Sequence, residues 1–385
     1  MPADALKPAL AAIKLHGRRC AAGALVLSSL VAGIRAYAAD PDCSGSFPDN
    51  SIFHQRIDDT TRFPTHPRSG AWLDLIGRHR EFRPDWGNNA DQRKPDTYYG
   101  IPYNEVSGQA SDTDWLPVNF GNLDVRDGSA GVPQESDCGV PDAAAPGGMR
   151  LKRDCNWVSK KDRLFPFPKE SVMKLENGLC NNPAACGDRH LLVVEKGACR
   201  LWEGYRAFKV DGNWTMYSSA AWDLRTNEMR PTDYTSSDAA GLPVLPFLVR
   251  ADEATRDDIR HPLRVTFRDS VLDFKYVWPA RHAAGNRVGG GVPFGAVMRL
   301  RSDAFQAPSS WTPQAKAILK ALKTYGVYVA DIGTDFFAAG TPDAAWDPET
   351  TSQLRSLKVD MFEFVDMSSI TKDPKFREDS FQSSW

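Results

Sequence analysis

The stretch CGDRHLLVVE, residues 186 to 195, places three polar side chains directly ahead of an apolar run. Asp188 and His190 are residue types that transfer protons in general acid–base catalysis, and Arg189 is a type that binds anions. The run that follows, Leu191 to Val194, predicts a buried strand. A strand that begins immediately after such residues delivers them to one edge of a sheet, so this stretch is the first candidate site.

Two further histidines stand at the edges of predicted strands. His261 lies in DDIRHPLRVTF beside Arg264, and His282 closes YVWPARH beside Arg281. Imidazole changes its charge near neutral pH, so these residues are candidates for proton transfer or for orienting a carboxylate. A purely structural histidine is the alternative at each position.

Carboxylates cluster in TSSDAAGLPVLPFLVRADEA, which holds Asp238 in a loop of small residues and Glu253 after an apolar segment. Glycosidases need two carboxyl groups across a sugar, one protonated and one ionised. Asp238 and Glu253 are the first predicted pair, with Asp188 and Asp223 in reserve. As an alternative, Asp238 caps a turn through its side chain.

Residues 250 to 301 carry nine arginines and Lys275 against six acidic residues, in a chain whose formal net charge is −2. This local excess predicts an acidic ligand such as a uronate or sulfated glycan, although ordinary ion pairs on a solvated sheet explain it equally well. Tryptophan and tyrosine rings are candidates for stacking on sugars. The predicted substrate-binding residues are Arg189, Arg250, Arg264, Arg281, Trp202, Trp222, Trp278 and Tyr276.

The elements that would position these residues are mostly short strands. From His190 onward, β-prone runs alternate with Gly, Asp, Asn or Pro, which predicts a mainly β fold, an antiparallel sandwich or barrel-like assembly with a few helices. An α+β fold is the alternative. One helix is predicted over residues 313–325, because Thr312 can cap it, Pro313 suits its first position and Gly326 ends it.

The first part of the chain has a different composition. Residues 39–186 are rich in Pro, Gly, Asp and Asn and predict a loop-rich part held by disulfides, with a short helix in SGAWLDLIGRHREF. Residues 187–366 form the predicted β-rich core, and residues 367–385 a C-terminal tail.

Residues 1–38 have the pattern of a signal peptide. Basic residues up to Arg19 precede an apolar run from Ala21 to Ile34, and Ala36-Tyr37-Ala38 is a cleavage sequence. Six cysteines follow, an even number that predicts disulfides in an exported chain, although the sequence leaves their pairing open. We therefore expect a secreted or periplasmic protein without a membrane span. The charge balance argues against a nucleic-acid partner.

Several kinds of chemistry have no motif in this chain. There is no G-x-S-x-G elbow, no H-E-x-x-H helix and no C-x-x-C pair. His190, His261 and His282 are too widely spaced in the sequence to predict a metal site. We expect neither a metal nor a cofactor, and the oligomeric state is not determined by the sequence.

The chain resembles a group of secreted bacterial proteins that has no assigned reaction. The segments that carry the resemblance occur in the same order and cover nearly the whole mature chain: FHQRIDD, YGIPY, GDRHLLVVE with Cys199, LWEGYRAF, TSSDAAGLPVLPFLVRADEA, IRHPLRVTF, VWPARHAAG, ILKALKTYGVYVADIGTD and DMFEFVD. Members of this group often accompany carbohydrate-binding modules, which implies work on polysaccharides by association only. An asparagine is usual where this chain has Ile332, so the resemblance does not carry Asp331 and Asp335 as site residues.

The leading hypothesis is a secreted enzyme that hydrolyses a polysaccharide. A carboxylate from Asp238, Glu253 or Asp188 acts as acid or base, and His190, His261 or His282 orients it or shares the proton transfer. The second hypothesis is a polysaccharide lyase, in which an arginine neutralises a uronate and a histidine or tyrosine moves the proton. The third is a non-catalytic glycan-binding or envelope structural protein.

Overall fold

The chain folds into a mainly β structure with few helices. A computed structural model describes residues 43–121 and 131–385; the predicted signal peptide lies outside them. The described residues belong to one compact unit. The strands in chain order are β1 (Arg83–Asp85), β2 (Tyr103–Val106), β3 (Thr113–Phe120), β4 (Asp137–Pro141), β5 (Met149–Arg153), β6 (Leu164–Pro168), β7 (Leu191–Glu195), β8 (Arg200–Tyr205), β9 (Phe208–Val210), β10 (Asn213–Met216), β11 (Ser218–Asp223), β12 (Leu263–Phe267), β13 (Leu272–Tyr276), β14 (Val292–Phe294), β15 (Val297–Leu300), β16 (Val327–Ile332), β17 (Phe337–Ala339) and β18 (Phe362–Phe364).

These strands form several mixed sheets, and within the described residues none closes into a barrel. The first six-stranded sheet has the order β1-β17-β12-β16-β15-β18, and the second has the order β5-β4-β6-β3-β10-β9. A four-stranded sheet has the order β11-β8-β7-β2, and β13 pairs with β14 alone. The arrangement is sandwich-like, which confirms the predicted mainly β class.

The four-stranded sheet is buried on both faces, and β7 shows why its sequence is continuously apolar. Leu191 and Val193 point into a smaller core shared with the second six-stranded sheet. Leu192 and Val194 point the opposite way, into the large core that contains the first six-stranded sheet. Because successive residues of a strand face opposite sides, a strand between two cores needs apolar residues at every position.

The helices are α1 (Ser69–Ile76), α2 (Ala251–Thr255), α3 (Pro313–Thr324), α4 (Glu349–Leu354) and α5 (Ser368–Thr371). The predicted helix at 313–325 is α3, one residue shorter. The Thr312 hydroxyl accepts the backbone N–H of Ala315 at 3.1 Å, which caps the first turn. Gly326 follows the helix with a φ of +74°, a conformation that favours glycine.

Strands also occur in the part of the chain before residue 187, and each of the three large sheets takes strands from both sides of that position. β1 pairs with β17, β2 with β7 and β3 with β10, all in parallel. Prolines made some of these strands hard to predict, because a proline within a run argues against a strand. β3 contains Pro117 and pairs with β6, which contains Pro166 and Pro168.

Three disulfides join the six cysteines as Cys43–Cys199, Cys138–Cys155 and Cys180–Cys186. Disulfides form and persist in oxidising compartments, so they fit an extracellular or periplasmic protein. Within the described ranges, no helix has both the length and the apolar character needed to cross a bilayer. The Cys180–Cys186 bridge closes the loop that directly precedes Asp188.

Candidate active site

A cavity of about 550 Å³ lies where the chain before β7, the loop after β11 and the C-terminal end of β16 meet. Its walls are largely polar. The residues most relevant to chemistry are Glu135, Asp188, Tyr205, Asp238, His282 and Asp331. They come from parts of the sequence up to about 200 residues apart, so only the fold brings them together.

Asp331 ends the apolar strand β16 and turns its carboxyl toward the cavity. Its Oδ1 accepts the backbone N–H of Ala239 at 3.2 Å and that of Ile332 at 2.8 Å. Burial raises the pKa of Asp331 well above its ordinary value, and the negative charge of Asp238 raises it further against the opposing charge of Arg264. The carboxyl therefore keeps its proton to higher pH than a free aspartate does, which suits a group that donates a proton.

Asp188 faces the same cavity and is accessible to solvent through it. The Tyr205 hydroxyl donates a hydrogen bond to its Oδ1 at 3.2 Å. Enclosure by the cavity walls raises the pKa of Asp188, and the nearby charge of Glu176 adds to the rise, while His190 and Tyr205 oppose it. The cavity thus contains two carboxyl groups that both hold their protons more tightly than a free aspartate.

His190 lies behind the cavity as a buried cation. Its Nδ1 is 2.7 Å from Glu176 Oε2 and its Nε2 is 3.0 Å from the carbonyl oxygen of Ser237. Both neighbours are acceptors, so both ring nitrogens carry a proton and donate. Burial disfavours this charge, but Glu176 outweighs it with help from Asp188 and raises the pKa of His190 to about 10. His190 therefore fixes the Ser237 loop and has no ring nitrogen left to accept a proton.

Buried charged side chains hold the loop that carries Asp238. Arg264 on β12 donates to both oxygens of Asp238, with Nε to Oδ2 at 2.8 Å. Glu203 on β8 accepts the Ser237 hydroxyl at 2.7 Å and the backbone N–H of Val244 at 2.8 Å. Burial raises the pKa of Glu203 to about 7. These anchors hold the cavity wall in one arrangement, and they place Asp238 in an ion pair instead of leaving it free for catalysis.

His282 lines the cavity on another side. Its Nδ1 donates to the backbone carbonyl of Ala239 at 2.6 Å, and its Nε2 is 3.9 Å from Glu135 Oε2. Glu135 in turn accepts the backbone N–H of Thr235 at 3.2 Å. The ring is oriented by its backbone contact, so its second nitrogen is directed at the Glu135 side of the cavity.

Glu253 and His261 lie in a different cavity, of about 290 Å³. His261 Nε2 is 3.1 Å from Glu253 Oε2, and Arg250 also contacts this carboxylate. Burial alone would raise the pKa of Glu253, but His261 and Arg250 outweigh it and lower the pKa. The predicted pair of Asp238 and Glu253 is not assembled, because each residue faces its own cavity and is already neutralised there.

The predicted substrate-binding arginines donate mainly to groups inside the protein. Arg281 donates to two backbone carbonyls and a threonine hydroxyl, and Arg189 donates to two backbone carbonyls. With Arg264 they are 6% exposed or less. Arg250 pairs with Glu253. These four arginines are thus used mainly in contacts within the protein.

The predicted aromatic contacts separate into core and cavity residues. Trp202 and Trp222 are fully buried, so neither ring presents a face to a ligand. Trp278 is half-buried, donates through Nε1 to the carbonyl of Ser380 at 3.1 Å and lines another, smaller cavity. Tyr276 lines a cavity that adjoins the site. A β-prone run cannot reveal which of its rings face a core.

The sequence interpretation missed several residues that build the site, chiefly Glu135, Glu176, Tyr205 and Asp331. Asp331 left a signal, because it is an acidic residue at the end of the apolar strand VYVADI. Glu176 left none, since it lies in a loop and meets His190 only through the fold.

Within residues 43–121 and 131–385, no three His, Cys, Asp or Glu side chains are grouped so that they could hold a metal ion. The chain matches no protein-family model, no curated protein and no solved structure. Its function is therefore inferred from the geometry and electrostatics of the cavity.

Proposed function

We propose that this protein hydrolyses glycosidic bonds, with Asp331 as the general acid and Asp188 as the general base. One observation carries the proposal: two carboxyl groups with raised pKa values face a single polar cavity of about 550 Å³. Most glycosidases need two carboxyl groups, at least one of which is kept protonated by its surroundings.

The proposed reaction uses the two carboxyl groups in opposite protonation states. Asp331 donates its proton to the glycosidic oxygen as the bond from that oxygen to the anomeric carbon breaks. Asp188, in its ionised form, takes a proton from the water that attacks the anomeric carbon. Asp188 ends protonated and Asp331 ionised, and a proton returned through solvent restores the starting state.

Neighbouring groups support these roles. The Tyr205 hydroxyl donates to Asp188 and so orients the carboxylate toward the cavity. The backbone N–H groups of Ala239 and Ile332 hold one oxygen of Asp331, which fixes the direction of the other. Arg264 is 3.8 Å from Asp331 and stabilises the anion left after proton donation.

The exported character of the chain agrees with a polymeric substrate outside the cytoplasm, and the resemblance to proteins that accompany carbohydrate-binding modules favours a glycan. The lyase hypothesis has less support, because the arginines that would neutralise a uronate already donate internally. The hypothesis of a non-catalytic glycan-binding protein is also less well supported, because the polar groups converge in a cavity and not on a flat surface.

The test is a product screen of the purified mature protein on neutral and uronate-containing polysaccharides, with Asp331→Asn as the matched inactive control. New reducing ends from the wild type, absent with Asp331→Asn, are the expected result. An unsaturated product that absorbs in the ultraviolet would show a lyase instead. Binding to a glycan without products from either protein would show a non-catalytic role.

A further inference from the structure

A second cavity, of about 560 Å³, adjoins the site cavity and shares two lining residues with it. It is lined by Asp233, Phe274 and Tyr276, and it shares Glu135 and His282 with the site cavity. Because the same two side chains border both spaces, the two cavities are adjacent, and we call the pair the cleft.

The floor of the adjoining cavity presents aromatic rings. Phe274 is 53% exposed, an unusual state for phenylalanine, and it lies on β13 two residues before Tyr276. Phe274, Lys275 and Tyr276 all line this cavity, and the pairing of β13 with β14 is irregular between Leu272 and Tyr276. The Tyr276 hydroxyl donates to Asp233 at 3.0 Å, which orients its ring. The apolar faces of sugar rings stack on such exposed aromatic side chains.

The charges along the cleft oppose a polyanionic ligand. Glu135 and Asp233 face the adjoining cavity, and Glu135 and Asp188 face the site. Of the cations, Arg206 donates to two backbone carbonyls, and Lys275 remains at the outer cavity. A uronate or sulfated chain would bring its negative groups against carboxylates at both ends of the cleft, whereas neutral hydroxyls find acceptors there.

We propose that the ligand of this cleft is an uncharged polysaccharide whose chain passes through both cavities, with Phe274 and Tyr276 binding the sugars next to the bond at Asp188 and Asp331. This assignment rests on the proposed function for the identity of the reacting bond. The aromatic pair supplies binding energy along the chain, while the carboxyl pair carries out the reaction.

The test measures binding separately from hydrolysis, by calorimetric titration of the full mature Asp331→Asn protein. The probes are neutral oligosaccharides of increasing length, from cello-, xylo-, manno- and malto- series, and oligogalacturonates of the same lengths. We expect affinity for one neutral series to rise with chain length. When Phe274→Ala is added, the affinity for the longer oligosaccharides should fall roughly three- to tenfold, and the affinity for the shortest should not change.

Two further variants make the result specific. Phe274→Trp keeps an aromatic face and should retain the binding. Trp157→Ala removes another exposed aromatic ring, 81% exposed and outside the cleft, and should change nothing. The inference is overturned if no neutral series binds, if oligogalacturonate binds as well, or if Phe274→Ala binds as the parent does. Phe274-dependent binding without hydrolysis by the wild type would uphold the cleft and refute the proposed reaction.

Discussion

The site cavity and the smaller cavity of Glu253 and His261 differ in what surrounds the carboxylate. Glu253 contacts His261 and Arg250, and these contacts lower its pKa despite burial. Arg264 is 3.8 Å from Asp331, too far for a hydrogen bond, and desolvation together with neighbouring negative charge raises the pKa values of Asp331 and Asp188. A carboxylate neutralised by direct contacts holds a structure together, whereas one with a raised pKa facing an open cavity is available for proton transfer.

The same difference applies to the basic side chains. In the site cavity, His190 and Arg264 lie behind the wall, where they hold Ser237 and Asp238 in place. In the smaller cavity, His261 touches its carboxylate from the cavity side. A histidine next to an acidic residue is therefore a poor guide to catalysis unless its nitrogens are free.

The largest expected contrast is between removal of Asp331 and removal of Glu253. Asp331→Asn keeps the shape and an acceptor for the two backbone N–H groups but has no proton to donate. We expect hydrolysis to fall about 10²–10⁴-fold. Glu253→Gln should change the rate only a few-fold, because Glu253 faces the other cavity. Initial rates of reducing-end release on the active glycan measure both, and equal losses would contradict the assignment.

The second contrast concerns stability. His190→Gln leaves Glu176 without its buried cation, so we expect the free energy of unfolding to fall by about 3–5 kcal/mol. His261→Gln should cost less, roughly 1–3 kcal/mol, because Arg250 still neutralises Glu253. Urea unfolding followed by tryptophan fluorescence gives both values. A His190→Gln protein as stable as the wild type would show that the pair with Glu176 contributes nothing.

The third contrast is smaller and concerns the orientation of Asp188. Tyr205→Phe removes the hydroxyl that donates to Asp188, and this hydrogen bond lowers the pKa of the carboxyl. We expect about a tenfold loss of rate. The acidic limb of the pH–rate profile should move to higher pH, because a carboxyl that has lost a donor ionises later. An unchanged acidic limb would mean that Asp188 is not the base.

The fourth contrast is the pH dependence of stability. The folded-state pKa of His190 is raised to about 10, so its pair with Glu176 stabilises fully below about pH 6.5 and is lost as pH rises through about 10. The pKa of Glu176 is lowered, so its contribution is lost as pH falls below its ordinary value near 4.5. Wild-type stability should therefore decline from pH 6.5 to 10 more than that of His190→Gln. Parallel curves would contradict the charged state of His190.

The sequence predicted those parts of the fold that depend on local pattern. The apolar run of β7 and the Thr312-Pro313 start of α3 follow from residue types within one turn or strand. Disulfide pairing did not follow, because Cys43 and Cys199 meet across 156 residues. Strands before residue 187 were hidden by prolines, which a strand tolerates only where its neighbours allow the missing N–H.

The site was less predictable for a related reason. Asp188 was found because it precedes a strand, but Asp331 depends on Asp238 and Arg264, which are contributed by a loop and by β12. Whether a carboxyl is neutralised or left with a raised pKa is decided by those distant neighbours. Residue type and spacing therefore located the edge of the sheet without distinguishing the acid from the ion pairs.

The most direct measurement is the protonation state of Asp331 itself, by isotope-edited infrared spectroscopy of protein labelled at the aspartate carboxyl carbon. At neutral pH the wild type should show the carbonyl band of a protonated carboxylic acid, and this band should be weaker in Asp331→Asn but unchanged in Glu253→Gln. A wild-type spectrum with only carboxylate bands at neutral pH would contradict the central claim that this cavity holds a general acid.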